Sequence, residues 1–255
     1  MMFDDRYEVF LADTIQAKNL HYHLRYQVYH LETGWERDKR VVRKRLECDR
    51  YDAFSKHFLV RDRLTHEWVG GMRLVVAPFS HLPLARLCNL DEASALEFEK
   101  SQCVEVSRLF VLPDYRCGRR RNGGLEEVSD HRNAGFHYEV MLGLIRAARM
   151  YGLNNSLKSW YFLVEPSLAR SIHRLGIDLH CCGPEVEYHG ARRPYYGEVS
   201  SCFERIFSAS SDVREMFSRK EAYQPFSQSS VSRPHFDKIT SFFVESRRSG
   251  VCIRV

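Results

Sequence analysis

The chain has 255 residues, of which 44% are hydrophobic and 28% are charged, and its formal net charge at pH 7 is +5. This length suits one large domain, or one domain with an appendage, and the composition is that of an ordinary globular protein. No apolar run reaches the roughly 18 to 20 residues that a membrane-spanning helix needs. The first residues carry acids before any apolar stretch, which is not the pattern of an export signal, so we expect a cytoplasmic protein.

Cysteines, histidines and basic clusters narrow the classes of function. The eight cysteines have no C-x-x-C spacing, which favours reduced thiols, and the histidines lack the carboxylate spacing of a metal site. Positive charge is concentrated in residues 40–45 and 116–121. No nucleic-acid motif and no interleaved aromatics accompany these clusters, so we expect an acidic protein partner and no nucleic acid.

The N-terminal part predicts a strand over residues 7–12 and a helix from Ile15 to Gly34. On that helix Arg25 and Tyr29 lie one turn apart and share a face, and Trp35 follows directly. These side chains have either a binding role or an ordinary role in packing and ion pairing.

A polar loop over residues 36–50 leads to a predicted hairpin of two strands, 57–60 and 68–76. Asp49 and Asp52 precede the first strand, and Arg73 lies within the second. The three side chains either form a polar cluster over the sheet or solvate the loop.

The stretch of residues 102–116, QCVEVSRLFVLPDYR, predicts one largely buried strand that ends at a turn. Glu105 and Arg108 interrupt it, and their spacing of three places them on opposite faces of a regular strand. A buried carboxylate is costly unless it is paired or used, so Glu105 is either a structural ion-pair partner or a functional group.

The remaining chain completes an α+β pattern with a mixed sheet. We expect a loop rich in Gly and Arg over residues 117–133, a helix over 136–150, a strand over 159–164, a short helix after Pro166, strands at 177–182, 185–188 and 195–200, and a helix at about 203–220. Ser, Gln and Pro are frequent after that point, so we predict a domain over residues 1–220 and a partly flexible tail over 221–255.

The order of elements resembles the Gcn5-related N-acyltransferase (GNAT) fold, a mixed central sheet flanked by helices. The polar residues resemble those of the bacterial acyl-homoserine-lactone (autoinducer) synthases, which have an Arg, an aromatic four positions later, a Trp ten later, two Asp three apart, an Arg in a strand, and E-x-S-R. The corresponding residues here are Arg25, Tyr29, Trp35, Asp49, Asp52, Arg73, Glu105, Ser107 and Arg108.

Longer phrases, such as ECDRYDAFSKHFLV, CVEVSRLFV and HGARRPYY, are more similar to the N-acyl amino acid synthases, including the acyltransferases associated with the PEP-CTERM/exosortase system. The resemblance covers residues 7–200. It implies transfer of a long-chain fatty acyl group from the phosphopantetheine of acyl carrier protein to the amine of an amino acid, with no bound cofactor. The alternatives are a homoserine-lactone synthase that uses S-adenosylmethionine, an acetyl-CoA N-acetyltransferase, and a non-catalytic acyl-carrier-binding or regulatory module.

The resemblance also implies roles for residues. Glu105 would be the base that removes a proton from the acceptor amine, with burial raising its pKa and nearby cations lowering it. The acceptor pocket and the cover over the donor would come from Arg25, Tyr29, Trp35, Asp49, Asp52 and Arg73. Ser107 and Arg108 are further candidate substrate-binding residues, and Arg108 would support the fold or the N-terminal acidic cluster.

The sheet of this fold splits beside the strand at residues 102–112, where the backbone would hold the pantetheine arm and stabilise the oxyanion through Leu109, Phe110, Val111 and Leu112. The following segment, RCGRRRNGG, is a poor match to the glycine-rich loop that binds the pyrophosphate of coenzyme A. This departure favours a carrier-protein donor, and the patch for the acidic carrier would be Arg116, Arg119, Arg120 and Arg121.

Overall fold

The computed structural model describes residues 3–35, 39–90, 103–116 and 130–226. The first half of the chain forms α1 (Phe3–Arg6), β1 (Tyr7–Leu11), α2 (Ile15–Tyr26) with a π-helical continuation (Gln27–Glu32), α3 (Lys39–Lys44), a 3-10 turn (Arg50–Phe54), β2 (Ser55–Asp62), β3 (Trp68–Val76), a second 3-10 turn (Phe79–His81), α4 (Pro83–Leu87), β4 (Cys103–Val111) and α5 (Pro113–Arg116).

The second half begins with the long helix α6. Its elements are α6 (Asp130–Asn154), β5 (Ser159–Val164), α7 (Pro166–Arg174), β6 (His180–Cys181), β7 (Val186–Glu187), β8 (Ala191–Glu198), α8 (Glu204–Ala209), α9 (Ser211–Ser218) and β9 (Gln224–Pro225). Among the described residues, none of the helices combines the length and apolar character that crossing a membrane requires.

The strands form one mixed sheet in the order β6-β8-β5-β4-β3-β2-β1-β9, with β7 paired to β8. β4 and β5 pair in parallel, and so do β1 and β9, whereas the other neighbours are antiparallel. Helices cover the sheet, so the predicted α+β class with a mixed central sheet flanked by helices is confirmed.

The two faces of the sheet have separate hydrophobic cores. On one face, buried residues of α6, among them Leu144 and Ala148, pack with Val104 and Val106 of β4. On the other face, α2 packs its buried Leu20 and other apolar residues against the sheet. β4 is therefore covered on both sides, which explains why its sequence reads as a nearly continuous apolar run.

The sheet splits beside β4, as the resemblance implied. Pairing between β4 and β5 runs from Cys103 opposite Ser159 to Val106 opposite Phe162. Beyond that point β4 continues to Val111, paired with β3, while β5 continues to Val164, paired with β8. The two strands separate, and an opening forms between them.

A β-bulge in β4 overturns one expectation. Ser107 lies opposite Arg73 and Phe110 lies opposite Gly71, so β4 uses one more residue than β3 over this interval. Arg108 has a φ of 50°, which a non-glycine residue seldom adopts. The bulge turns the Arg108 side chain toward the acids on the α2 face, so the prediction that Glu105 and Arg108 point to opposite faces was wrong.

Several predicted boundaries also differ. The helix expected up to Gly34 changes to π-helical hydrogen bonding at Gln27, and the expected loop at residues 36–50 contains α3. The helix expected at about 203–220 is two helices, because Ser210 adopts extended backbone geometry and its side chain accepts a hydrogen bond from the N–H of Val213 at 3.3 Å.

The start of the predicted tail packs on the sheet. β9 pairs with β1, and the N–H of Phe226 donates to the carbonyl of Leu11 at 3.2 Å. The Phe226 ring is buried and lies 6.0 Å from the Trp68 ring and 6.1 Å from the Phe10 ring. The rest of the predicted tail, residues 227–255, lies outside the described residues.

This packing predicts that Phe226→Ala lowers the free energy of unfolding by about 3 kcal/mol, because a buried aromatic ring leaves a cavity beside two others. Urea denaturation measures the change. Leu64→Ala is the control, since Leu64 is 80% exposed and its truncation should change stability by less than about 0.5 kcal/mol. Equal unfolding midpoints for the two variants would contradict the assignment of this segment to the folded domain.

Candidate active site

Three arginines and three carboxylates meet on the α2 face of the sheet. The arginines come from different elements, Arg25 from α2, Arg73 from β3 and Arg108 from the bulge of β4. The carboxylates all come from one short segment and are Glu47, Asp49 and Asp52. We call these six residues the charge network.

Asp52 lies at the centre of the charge network. Its Oδ1 accepts hydrogen bonds from Arg25 Nη1 at 2.7 Å and Arg73 Nη1 at 3.2 Å, and it lies 2.9 Å from Nε2 of the buried His57. Burial on its own would raise the pKa of this carboxyl, but Arg25, the hydrogen bond from His57 and Arg73 hold the pKa far below its ordinary value. Asp52 is therefore a permanent anion.

Local structure explains the spacing of the two aspartates. Asp49 caps the 3-10 turn by accepting from the N–H of Tyr51 at 2.8 Å, and Asp52 accepts in return from the N–H of Asp49 at 2.7 Å. The turn aims both carboxylates at β3, where Arg73 Nη1 donates to Asp49 Oδ1 at 2.7 Å. Arg73 also donates through Nε to the Ser107 hydroxyl at 3.0 Å.

Glu47 is the member of the charge network that the sequence analysis missed. It is 1% exposed, pairs with Arg25 through Nε, and accepts from Arg108 Nη2 at 3.2 Å. Burial opposes its ionisation, but the two arginines lower its pKa to about 2. Its position two residues before Asp49, in the phrase ECDRYD, is the signal that could have indicated it.

Glu105 lies on the same face as the charge network but in a different environment. It is 3% exposed, and its Oε2 accepts from the backbone N–H of Leu84 in α4 at 2.8 Å. No cationic side chain among the described residues lies within ion-pair distance of it. Burial raises its pKa to about 7, although the Leu84 N–H, Arg73 and Arg108 each act to lower the pKa. Sequence reasoning did not identify Leu84, because a backbone donor leaves no side-chain signal.

Some backbone hydrogen-bonding groups in and just after β4, beyond the split, already have partners within the protein. The carbonyl of Leu109 accepts from the Tyr29 hydroxyl at 3.2 Å, and the N–H of Leu112 donates to the carbonyl of Val69 at 2.8 Å. The Leu112 N–H is therefore hydrogen-bonded to β3 and does not point to an acyl donor in the opening. Phe110 points into the core under α2, and Val111 faces the opposite core.

Trp35 connects the charge network to the hairpin of β7 and β8. Its ring stacks on Tyr29 at 6.0 Å and on His189 at 5.4 Å, and the Arg192 guanidinium lies 5.2 Å from its centroid. Tyr29 in turn lies 5.4 Å from the Arg108 guanidinium. The sequence of this hairpin carried no predicted role in the site.

Apolar residues of β4, β5 and α6 lie on the other face of the sheet, beside the end of the β4–β5 pairing. Leu109 and Val111 of β4, Val164 of β5 and Leu142 of α6 are partly buried and pack on the core between the sheet and α6.

The four residues predicted to bind the carrier cannot be placed, because Arg119, Arg120, Arg121 and the side chain of Arg116 lie outside the described part of the chain.

Two comparisons by sequence bear on identity. Residues 24–122 match the family model of the acetyltransferase (GNAT) domain, and this range contains the charge network and Glu105. No curated protein matches the chain.

Solved structures share the fold. The CoA-dependent acyl-homoserine lactone synthase BjaI, solved with SAM and isopentyl-CoA, is 18% identical, with a TM-score of 0.53 over 91% of this chain and 99% of that one. TofI, solved in a ternary complex with an inhibitor and MTA, is 18% identical, with a TM-score of 0.53 over 81% and 99%. FeeM, an N-acyl amino acid synthase from uncultured soil microbes, is 10% identical, with a TM-score of 0.51 over 80% and 97%. Residues 24–122 therefore match an acetyltransferase (GNAT) domain, the chain has the fold shared by these acyl-homoserine lactone synthases and FeeM, and the two findings together support an acyltransferase enzyme.

Proposed function

We propose that the chain transfers a long-chain fatty acyl group from acyl carrier protein to the amine of an amino acid and so produces an N-acyl amino acid. The observation that carries the proposal is Glu105, a buried carboxylate with a pKa of about 7 that lies on β4 one residue before the last pair between β4 and β5. A base of this pKa is well matched to proton transfer at neutral pH.

The chemistry needs one proton to be moved. The acceptor amine is mostly ammonium at pH 7, so ionised Glu105 takes a proton from it, directly or through a water molecule. The free amine attacks the thioester carbonyl, a C–N bond forms, and the tetrahedral oxyanion collapses with cleavage of the C–S bond. The amine nitrogen loses its second proton, and the departing pantetheine thiolate takes one up, so the reaction is balanced without a redox partner.

The charge network positions the acceptor side of the site. Its three cations and three anions cancel, so the network holds Arg108 and Ser107 in place beside Glu105 without giving Glu105 a strong counter-ion. Arg25, Asp49, Asp52 and Arg73 are then positioning residues, and Tyr29 and Trp35 cover the donor. The apolar surface between β4, β5 and α6 offers walls for a long acyl chain.

The sequence of the segment after β4 indicates which acyl donor the protein uses. RCGRRRNGG lacks the pattern of a pyrophosphate-binding loop and is rich in arginine, which suits an acidic carrier protein. Coenzyme A is the competing donor, since BjaI was solved with isopentyl-CoA.

A second function, acyl-homoserine-lactone synthesis from S-adenosylmethionine, is favoured by the structural comparison. BjaI, solved with SAM, is more similar in sequence than FeeM, at 18% against 10% identity, and covers 91% of this chain against 80%. The two functions share a base and a donor site and differ in the acceptor, so the product distinguishes them.

Expression in a bacterial host should yield a new long-chain N-acyl amino acid in lipid extracts, detected by mass spectrometry. Glu105→Gln should reduce the product at least about a hundredfold, because removing a general base costs 10²–10⁴ in rate. The control is Glu204→Gln, an exposed carboxylate, which should leave the yield unchanged. A homoserine lactone would favour the second function, and full yield from Glu105→Gln would refute Glu105 as the base.

The pKa of Glu105 also predicts how stability depends on pH. A folded-state pKa of about 7, above the unfolded value, means that Glu105 stabilises the fold fully below about pH 4.5 and that this contribution is lost as the pH rises through 7. Glu105→Gln cannot ionise, so its free energy of unfolding should gain roughly 3 kcal/mol relative to the parent between pH 4.5 and pH 8. Urea denaturation of both proteins at the two pH values measures this gain. Parallel pH profiles would show that Glu105 has an ordinary pKa.

Replacement of Arg119, Arg120 and Arg121 by Gln should raise the KM for acyl carrier protein by roughly tenfold or more, because the acidic partner loses three attractive charges. The KM for the matching acyl-coenzyme A should change much less. The measurement is steady-state transfer with both donors at two salt concentrations. A parallel loss with both donors would contradict a carrier-specific patch.

A further inference from the structure

A continuous set of contacts crosses the opening between β4 and β5. It begins on β4, where the Leu109 carbonyl accepts from Tyr29 at 3.2 Å, and passes through Trp35 to the hairpin of β7 and β8. It ends beyond β5, where Arg192 Nη2 lies 3.7 Å from Glu165 Oε1. Leu109 and Glu165 both lie past the last paired residues, so these contacts form a bridge over the mouth of the opening.

Arg192 is the cation of this bridge, and its charge is weakly compensated. Its side chain is 14% exposed, its Nε donates to the Tyr188 carbonyl at 2.7 Å, its Nη2 donates to the His189 carbonyl at 3.4 Å, and its guanidinium lies against the Trp35 ring, which leaves Nη1 as the spare donor. The facing carboxylate of Glu165 is 52% exposed and too distant for a close hydrogen bond. The arginines of the charge network, by contrast, each have a carboxylate within 3.2 Å. A fixed guanidinium with spare donors is suited to a phosphate.

The length of the opening fits the donor arm. Because the bulge adds one residue to β4, Glu105 and Leu109 lie about three regular strand steps apart, a span of roughly 10 Å. The phosphopantetheine arm from sulfur to phosphorus is about as long as four extended residues, roughly 15 Å. A thioester placed at Glu105, with its arm along β4, therefore carries the phosphate past Leu109 to the bridge.

We propose that Arg192 binds the phosphate of the phosphopantetheine arm and that the Trp35 ring holds the guanidinium in position for it. The proposal rests on the proposed function for the placement of the thioester at Glu105. It also provides a phosphate ligand for a chain whose segment after β4 lacks the glycine pattern of a pyrophosphate loop. The phosphate is common to carrier protein and coenzyme A, so Arg192 serves either donor.

The test uses unreactive donors. Long-chain alkyl thioethers of phosphopantetheine and of pantetheine differ only in the phosphate, and their dissociation constants can be measured by calorimetry with no acceptor present. The parent protein should bind the phosphorylated compound roughly ten- to a hundredfold more tightly, the range for a charge-assisted pair. Arg192→Gln should reduce that ratio to near one, and Arg192→Lys should retain part of it.

The neighbouring arginine provides the control. Arg193 is 47% exposed, pairs with Glu185 at 3.4 Å, and alternates with Arg192 along β8, so Arg193→Gln should keep the full ratio. Thioethers of coenzyme A and of the carrier protein, tested in the same way, show whether one donor or both depend on Arg192.

Equal binding of the two compounds by the parent protein, or an equal weakening of both by Arg192→Gln, would overturn the proposal. So would an intact ratio in Arg192→Gln with a raised KM for the amino acid, because Arg192 would then bind the acceptor carboxylate. An Arg192-dependent ratio without any N-acyl amino acid in cells would support the phosphate site and refute only the proposed function.

Discussion

The cancellation of charge between Arg25, Arg73 and Arg108 and the three carboxylates is the constraint on which the site depends. Removing one partner from such a buried set costs on the order of 3–5 kcal/mol, because the opposite charge stays buried without compensation. The set also decides the chemistry of Glu105. Since the arginines are already matched, burial dominates at Glu105, and its pKa rises to about 7 while the pKa of Glu47 falls to about 2.

The β-bulge at Arg108 links the charge network to the opening in the sheet. Without the extra residue, the alternation of the strand would direct Arg108 into the apolar core against α6, away from Glu47 and Asp49. With it, Arg108 reaches Glu47 and Asp49, and the β4 backbone departs from β5 just before the irregularity. One local distortion thus completes the ion pairs and leaves β4 backbone free of its sheet neighbour, as expected of a bulge beside an active site.

The sequence was informative where chemistry depends on side-chain type and order. The α+β pattern follows from the periodicity of the elements, and the polar cluster of Asp49, Asp52 and Arg73, one of two possibilities that the sequence leaves open, has a local cause in the 3-10 turn. The split beside the central strand was implied by the family resemblance. Three features of the site could not be predicted from the sequence. The bulge adds one residue to β4 and so places the Arg108 side chain on the opposite face of the sheet, and no residue type in the sequence indicates a bulge at this position. The Leu84 N–H is a backbone group, and the contact of Trp35 with His189 and Arg192 joins segments more than 150 positions apart.

Binding of the donor must compete with contacts that the protein already makes. An arm that pairs with β4 in strand-like fashion needs carbonyl acceptors beyond the split, and the Leu109 carbonyl is occupied by the Tyr29 hydroxyl. Displacing that hydroxyl would also move the ring on which Trp35 stacks, and Trp35 supports Arg192. Entry of the arm and the arrangement of the bridge are therefore coupled through Tyr29. Losing one hydrogen bond costs about 1 kcal/mol, which is less than a charge-assisted contact to phosphate contributes, so the balance favours binding of a phosphorylated donor.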